Sequence, residues 1–169
     1  DAETSSWIEA TEMRFPRYYP TTILLGDGRV LTLGGSMTTS KWADTPEVYD
    51  PVADTRWVLP EVNTADLHTR QYLRAHLLPD GTVYVINPTD ARLRVLDVST
   101  QSWTDVGTAP SRWGSTVQYR PGKILMTGGG NPAISPDSQT TAMVIDLTQV
   151  SPAWRYTTPM TYPRFNHNL

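Results

Sequence analysis

The sequence predicts an all-β fold built from a repeated four-stranded unit. Its 169 residues contain 14 prolines, 11 glycines, 8 tyrosines and 6 tryptophans, a composition typical of short strands joined by tight turns. No stretch shows the 3.6-residue apolar period of an amphipathic helix over three turns. A hairpin signal also recurs about every fifty residues along the chain.

The composition excludes several classes of function. Only 18% of the residues are charged and the net charge is −3, so electrostatics give nucleic-acid binding no support. The absence of cysteine excludes disulfides, thiolate metal ligands and cysteine nucleophiles within these residues. No apolar run approaches the roughly 20 residues that a membrane-spanning helix needs. We therefore expect neither a nucleic acid nor a membrane as partner.

Each unit opens with a hairpin of two strands. Residues 24–30 read LLGDGRV, residues 77–83 read LLPDGTV, and residues 119–125 carry the weaker copy YRPGKIL. Asp-Gly and Pro-Gly suit tight turns because glycine tolerates a positive φ and proline presets the position before it. An apolar second strand follows each turn, and in the first and third units it ends at a double glycine.

The third and fourth strands of each unit carry an aspartate and a tryptophan. The aspartates end the third strand and are expected to accept backbone N–H groups of the next turn: Asp50, Asp97 and Asp146. The tryptophans are predicted to pack between units: Trp57, Trp103 and Trp154, with Trp7 fitting the same series.

This order of elements predicts kelch-type β-propeller blades. A β-sandwich also has many short strands, but it does not explain why turn, glycines, aspartate and tryptophan recur in the same order. We predict blades at residues 14–62, 63–108 and 109–160. Residues 1–13 are predicted to form the last strand of a preceding blade, and residues 161–169 the first strand of a following one.

Three blades are too few to close a ring, because natural propellers contain four to eight. We therefore expect the chain to work with the remainder of a propeller, in the same polypeptide or in a companion chain, or with a second copy of itself.

Four stretches of the chain carry a family resemblance: PRYYPTTILLGDGRVLTLGGS, RQYLRAHLLPDGTVYVINPTDARL, GKILMTGGG and AWRYTTPMTYPRFNHNL. They resemble successive blades of the galactose oxidase and glyoxal oxidase family, copper radical oxidases built on a seven-bladed kelch-type propeller. The resemblance covers roughly residues 14–169 and under half of such a propeller. It implies a secreted parent that oxidises a primary alcohol or aldehyde with O₂ and releases H₂O₂.

The resemblance also implies site residues. In the family, two tyrosines and two histidines hold copper, and one tyrosine is cross-linked to a cysteine of an earlier blade. Arg17-Tyr18-Tyr19 matches the context of that tyrosine, which makes Tyr19 the implied radical ligand. Arg164 matches a substrate-facing arginine. Met37 occupies the place of a tryptophan that stacks on the radical tyrosine in galactose-type members, and Trp42 is the nearby candidate for a substrate contact.

The chain also departs from the family pattern. The partner cysteine and the Tyr-His ligand pair are absent, so we expect neither copper nor catalysis from this chain alone. The alternative function is a non-catalytic kelch-type scaffold that binds carbohydrate or protein and is completed by self-association.

Two further sets of residues have predicted structural roles. The arginines at the blade starts are expected to pair with an acid of the adjacent blade: Arg17, Arg70, Arg112 and Arg164. The three histidines do not form a spaced ligand pair on one strand: His68, His76 and His167. His76 lies in an apolar strand and is expected to be a hydrogen-bonded core residue.

Overall fold

The computed structural model describes residues 4–65, 71–130 and 138–169. These residues form twelve strands and no helix, which confirms the all-β prediction. The strands are β1 Thr21–Leu24, β2 Val30–Leu33, β3 Glu47–Asp50, β4 Thr55–Val58, β5 Arg74–Leu77, β6 Val83–Ile86, β7 Arg92–Asp97, β8 Ser102–Thr108, β9 Ser115–Arg120, β10 Lys123–Thr127, β11 Ala142–Asp146 and β12 Arg155–Tyr156. Within the described part of the chain, no helix is long and apolar enough to cross a membrane.

Each run of four consecutive strands forms one antiparallel sheet in chain order. We call β1–β4 blade 1, β5–β8 blade 2 and β9–β12 blade 3. The three sheets lie inside the predicted ranges 14–62, 63–108 and 109–160. Residues 4–13 and 161–169 contribute no named strand, and the two flanking blades assigned to them stay predictions.

The blades pack face to face through two apolar clusters. The first joins blades 1 and 2 and centres on Leu31, Val48, Val83 and Leu96, none of which is exposed. The second joins blades 2 and 3 through residues such as Tyr84, Ile86, Ile124 and Met126. Burial of both faces of blade 2 explains why all four residues of β6 are apolar and buried rather than alternating with polar ones.

The aspartates that end the third strands cap the turns that follow. Asp50 Oδ1 accepts hydrogen bonds from the backbone N–H groups of Val52 and Ala53. Asp97 and Asp146 accept equivalent bonds from residues 99, 100 and 148. The predicted turn role of these three residues is confirmed.

The tryptophans of the fourth strands do not all face the same neighbour. Trp103 packs against the cluster between blades 1 and 2, and Trp154 against the cluster between blades 2 and 3, so each contacts the blade before its own. Trp57 pairs with Val48, which faces blade 2, and therefore points toward the blade after its own. Trp7 is fully exposed in this chain.

Candidate functional site

A buried ion pair holds the start of blade 1. Arg17 Nη2 lies 2.7 Å from Glu47 Oε1 and both side chains are fully buried. The remaining guanidinium donors bond to the carbonyl oxygens of Gly34, Ala43 and Thr45 at 2.6–3.1 Å. Such a pair is tolerated only when its hydrogen-bonding capacity is satisfied, as it is here. Because Glu47 belongs to β3 of the same blade, the expectation that Arg17 pairs with an adjacent blade is wrong.

The ion pair fixes the position of two tyrosines at the end of the blade. The carboxylate of Glu47 also accepts hydrogen bonds from the backbone N–H groups of Arg14 and Phe15, which anchors the chain just before Arg17. Tyr18 and Ser36 then exchange two backbone hydrogen bonds at 2.8 and 2.9 Å. The next residue, Tyr19, has a φ of 57°, a conformation that non-glycine residues adopt rarely and usually at special sites.

Three tyrosine rings form a cluster at this position. The centroids of Tyr18 and Tyr19 are 3.9 Å apart, and those of Tyr19 and Tyr72 are 4.7 Å apart. Tyr72 starts blade 2 and has a φ of 55°, so it repeats the backbone geometry of Tyr19. The hydrogen bond to Tyr19 raises the pKa of Tyr18. Tyr19 and Tyr72 are each 41% exposed, which leaves both hydroxyl-bearing rings open to a ligand.

A cleft of about 570 Å³ opens beside the cluster. It is lined by Tyr18, Tyr19, Ser36, Met37, Thr38, Thr39, Trp42 and Gln71. Trp42 reaches the cleft because its backbone bridges to Ser36, which bridges to Tyr18. The structure therefore brings two of the predicted site residues, Tyr19 and Trp42, to one cleft.

Arg164 lies elsewhere, beyond blade 3. Its backbone N–H donates to the carbonyl oxygen of Gln139, and its own carbonyl accepts from Gly129. The side chain is exposed, and it contributes to a lowered pKa at His167, which places the two groups near each other. The cleft beside Tyr19 is not lined by Arg164.

The remaining predicted residues have structural positions. His76 Nε2 lies 2.8 Å from Thr116 Oγ1 of blade 3, and burial lowers its pKa to about 4, which confirms a hydrogen-bonded core histidine. Arg112 is exposed. His68 and Arg70 lie outside the described residues. In the described ranges no three His, Cys, Asp or Glu side chains come close enough to hold a metal ion.

Tyr72 and Glu47 also belong to this site, although neither was predicted from the sequence. Tyr72 carried a signal, because Arg70-Gln71-Tyr72 repeats the Arg-x-Tyr spacing of Arg17-Tyr18-Tyr19. Glu47 stands three residues before Asp50, and the equivalent positions before the other two turn aspartates hold Arg94 and Met143.

Comparison with known proteins supports the family resemblance. No family model matches the chain. Two curated sequences from Gibberella zeae, both described as galactose oxidase, are 30% identical to it over 166 residues of alignment, which cover 87% of this chain and 24% of each relative. The chain thus spans about a quarter of the length of these relatives.

Solved structures share the fold. A fungal alcohol oxidase of the AA5 family, described as catalytically diverse and in complex with copper, superposes with a TM-score of 0.80 at 23% identity over 97% of this chain and 37% of that one. The structure of YjhT gives a TM-score of 0.75 at 16% identity over 95% and 57% of the two chains. These matches confirm β-propeller blades, while a seven-bladed ring stays a prediction. Over most of its length the chain is similar in sequence to galactose oxidase and in fold to a copper-bound AA5 alcohol oxidase.

Proposed function

We propose that this chain forms three blades of a copper radical oxidase propeller. The intact parent would oxidise a primary alcohol to an aldehyde, or an aldehyde further, and would pass two electrons and two protons to O₂ to give H₂O₂. The parent would act outside the cell. Similarity to the galactose oxidases of Gibberella zeae supports this activity.

One observation carries the proposal: a fully buried ion pair holds Tyr19 in a rare backbone conformation beside an open cleft. Only a small share of non-glycine residues have a positive φ, and such residues cluster at functional sites. Neither of the other two blades places a glutamate at the position of Glu47. The positive φ recurs at Tyr72, Trp113 and Asn166, so the buried ion pair, and not the backbone conformation, is the feature specific to the blade whose tyrosine matches the radical ligand.

Copper with a Tyr–Cys cofactor does not fit the described residues alone. They offer the phenol oxygen of Tyr19 but no group of three carboxylate, imidazole or thiolate ligands around it. We therefore assign to this chain only the positioning of Tyr19, and leave the other ligands and the cysteine to the rest of the parent.

Other residues of the cleft would orient a substrate. Trp42 offers an aromatic surface on which the apolar face of a sugar or small alcohol can pack. Arg164 could donate two parallel hydrogen bonds to a substrate oxygen. Its distance from the cleft means that this contact requires a substrate that extends toward blade 3 or the surfaces of further blades.

The test uses the parent polypeptide that contains these blades. We expect Tyr19→Phe to lower H₂O₂ release with galactose or a simple aldehyde by at least 100-fold and to remove tightly bound copper, because the substitution deletes the ligand oxygen. Tyr156→Phe is the matched control, since it removes a hydroxyl at an exposed position on β12, outside the cleft, and should keep most of the activity. Wild-type rates in Tyr19→Phe would overturn the assignment.

A parent that binds no copper and releases no H₂O₂ would instead support the non-catalytic scaffold. In that case the cleft at Trp42 would be expected to bind a carbohydrate or protein, with the propeller completed by the rest of the parent or by a second copy. Sugar-induced quenching of Trp42 fluorescence, lost in Trp42→Phe, would then identify a carbohydrate.

A further inference from the structure

A second cavity, lined by polar side chains, lies beside Tyr72. It has a volume of about 320 Å³ and is lined by Tyr72, Arg74, Asn166, His167 and Asn168. These residues come from the start of blade 2 and from the segment that follows blade 3. The space accommodates a molecule of a few heavy atoms, since one water occupies about 30 Å³ in the liquid.

The guanidinium of Arg74 is only partly satisfied. It is half-buried on β5, where Nη1 donates to the carbonyl oxygen of Tyr72 at 3.1 Å and Nε to that of Gly114 at 3.4 Å. No ion pair joins Arg74 to a carboxylate of the described residues. Burial lowers the pKa of Arg74, but an arginine stays charged at neutral pH. A partly buried cation with unused donors attracts an anion.

His167 adds a polar, uncharged side chain to the cavity lining. Its Nε2 lies 2.8 Å from Thr127 Oγ1, and the hydroxyl of Ser115 donates to its carbonyl oxygen. Burial, followed by the charges of Arg164 and Arg74, lowers the pKa of His167, so the imidazole is neutral at pH 7. Its Nδ1 is buried and has no hydrogen-bond partner within the described part of the chain.

We propose that this cavity binds a small carboxylate anion through Arg74. The planar guanidinium matches the two oxygens of a carboxylate, and the amides of Asn166 and Asn168 can supply further donors. Arg74 is the one charged side chain in the cavity lining, which suits a monoanion better than the dianion of inorganic phosphate. The proposal does not depend on the oxidase activity, because every residue involved belongs to this chain.

Calorimetric titration of the full chain with glycolate tests the proposal. We expect saturable binding, weakened at least tenfold in Arg74→Gln, because the substitution removes the charge and the paired donors. Arg120→Gln is the matched control: it makes the same change at an exposed arginine at the far end of β9 and should bind like wild type. No binding by wild type, or equal loss in both variants, would overturn the proposal.

Titration with inorganic phosphate separates the two kinds of oxyanion. Binding of phosphate as tightly as glycolate would overturn the assignment to a carboxylate. Asn168→Asp is a second variant that does not alter buried groups, since Asn168 is exposed. A negative charge at the rim should weaken glycolate binding about tenfold, whereas Asn63→Asp, in the exposed segment between β4 and β5, should not. Equal behaviour of these two variants would also contradict the proposal, even if Arg74→Gln failed to fold.

Discussion

At the scale of single residues, the Arg17–Glu47 pair holds the start of blade 1 in a fixed position. The two charges lie 2.7 Å apart with no exposed surface, and three carbonyl oxygens and two backbone N–H groups complete their hydrogen bonding. The desolvation of both ions offsets much of their attraction, so the pair contributes mainly orientation rather than stability. What it orients is the backbone that leads into Tyr19.

We predict that Glu47→Gln lowers the free energy of unfolding by about 3–5 kcal/mol, because the charge of Arg17 would stay buried without compensation. Denaturant unfolding with an unchanged m-value is the measurement. Glu61→Gln is the control, since Glu61 is exposed and the change there should stay within about 0.5 kcal/mol. A loss below 1 kcal/mol in Glu47→Gln would mean that the pair is not buried in solution.

The partner of Arg17 could not be predicted from the sequence, and the reason is physical. The recurrence of arginine at each blade start indicates a structural role, but it does not identify the carboxylate with which each arginine pairs. Only blade 1 has a carboxylate, Glu47, three residues before its turn aspartate. Because the other two blades lack it, Glu47 does not appear in the repeat pattern. The turn aspartates were predictable because their role needs only the two or three residues that follow them.

The half-buried histidine of blade 2, His76, predicts a pH dependence. Burial and, second, Arg74 lower the pKa of His76 to about 4, against an ordinary value of 6.5. Between these values the unfolded chain binds a proton that the folded chain does not. The stability from this group is therefore complete above pH 6.5 and is lost as the pH falls toward 4, by up to about 3 kcal/mol.

Unfolding free energies at pH 7 and pH 4.5 should show this loss in the wild type. In His76→Gln, which keeps a hydrogen-bonding group near Thr116, the difference between the two pH values should shrink by about 2 kcal/mol. Identical pH dependence of the two proteins would show that the pKa of His76 is the same in the folded and unfolded states.

At the scale of elements, two glycines are expected to differ in the free-energy cost of adding a side chain. One is Gly129, which follows β10, and the other is Gly28, in the turn of the first hairpin. Gly129 has a φ of 104°, and a Cβ there would overlap the hydroxyl of Ser111 and the carbonyl oxygen of Arg112. Gly28, in the turn of the first hairpin, has a φ of 87° but nothing within 4 Å of the position of a Cβ. The two sites therefore separate crowding from backbone strain.

We expect Gly28→Ala to cost about 1–2 kcal/mol of unfolding free energy, from the positive φ alone. Gly129→Ala should cost at least about 2 kcal/mol more, because the start of blade 3 would have to move away. Thermal unfolding of both variants provides the comparison. Equal losses would show that the contact between Gly129 and the blade start is looser than described.

The tryptophans of the fourth strands face different neighbouring blades, and their spacing from the turn aspartates explains why. Trp103 follows its turn aspartate by six residues and Trp154 by eight, whereas Trp57 follows by seven. Because side chains alternate between the faces of a strand, the odd step turns Trp57 to the opposite face. The sequence predicted interblade tryptophans correctly for Trp103 and Trp154. Trp57 faces the other neighbour because it lies one residue further along its strand: it pairs with Val48, two residues before Asp50, whereas Trp103 pairs with Leu96, one residue before Asp97.

Trp103→Ala is expected to lower the free energy of unfolding by about 3–5 kcal/mol, as loss of a core aromatic does. Trp57→Ala should cost only about 1 kcal/mol, because this ring is 37% exposed and lies against Arg29, at 5.3 Å from the guanidinium carbon. Denaturant midpoints of the two variants give the answer. A larger loss for Trp57 would place it inside a packed interface.

At the scale of the whole molecule, the outer face of blade 3 determines how the isolated chain behaves. Blade 2 is covered on both sides, but the face of blade 3 away from blade 2 forms an open apolar groove. Leu125, Val144, Ala142 and Met160 line it, together with Tyr119, which is 47% exposed. Apolar sheet faces of this kind favour association with another surface.

We predict that the isolated chain associates in a concentration-dependent manner through this groove. Val144→Lys places a charge at its centre, next to Leu125 on the neighbouring strand, and should weaken association at least tenfold. Val150→Lys makes the same substitution at a fully exposed turn and should leave association unchanged. Sedimentation velocity over a hundredfold concentration range measures the association of all three proteins.

Association that survives in Val144→Lys would show that the contact lies elsewhere, with the opposite end of the stack as the next candidate. There, residues 11–17 lie against blade 1 through hydrogen bonds to Asp54 and Glu47. A wild-type chain that stays monomeric throughout would instead show that the groove is closed in solution, and the expectation that the chain requires further blades or a second copy would fail with it.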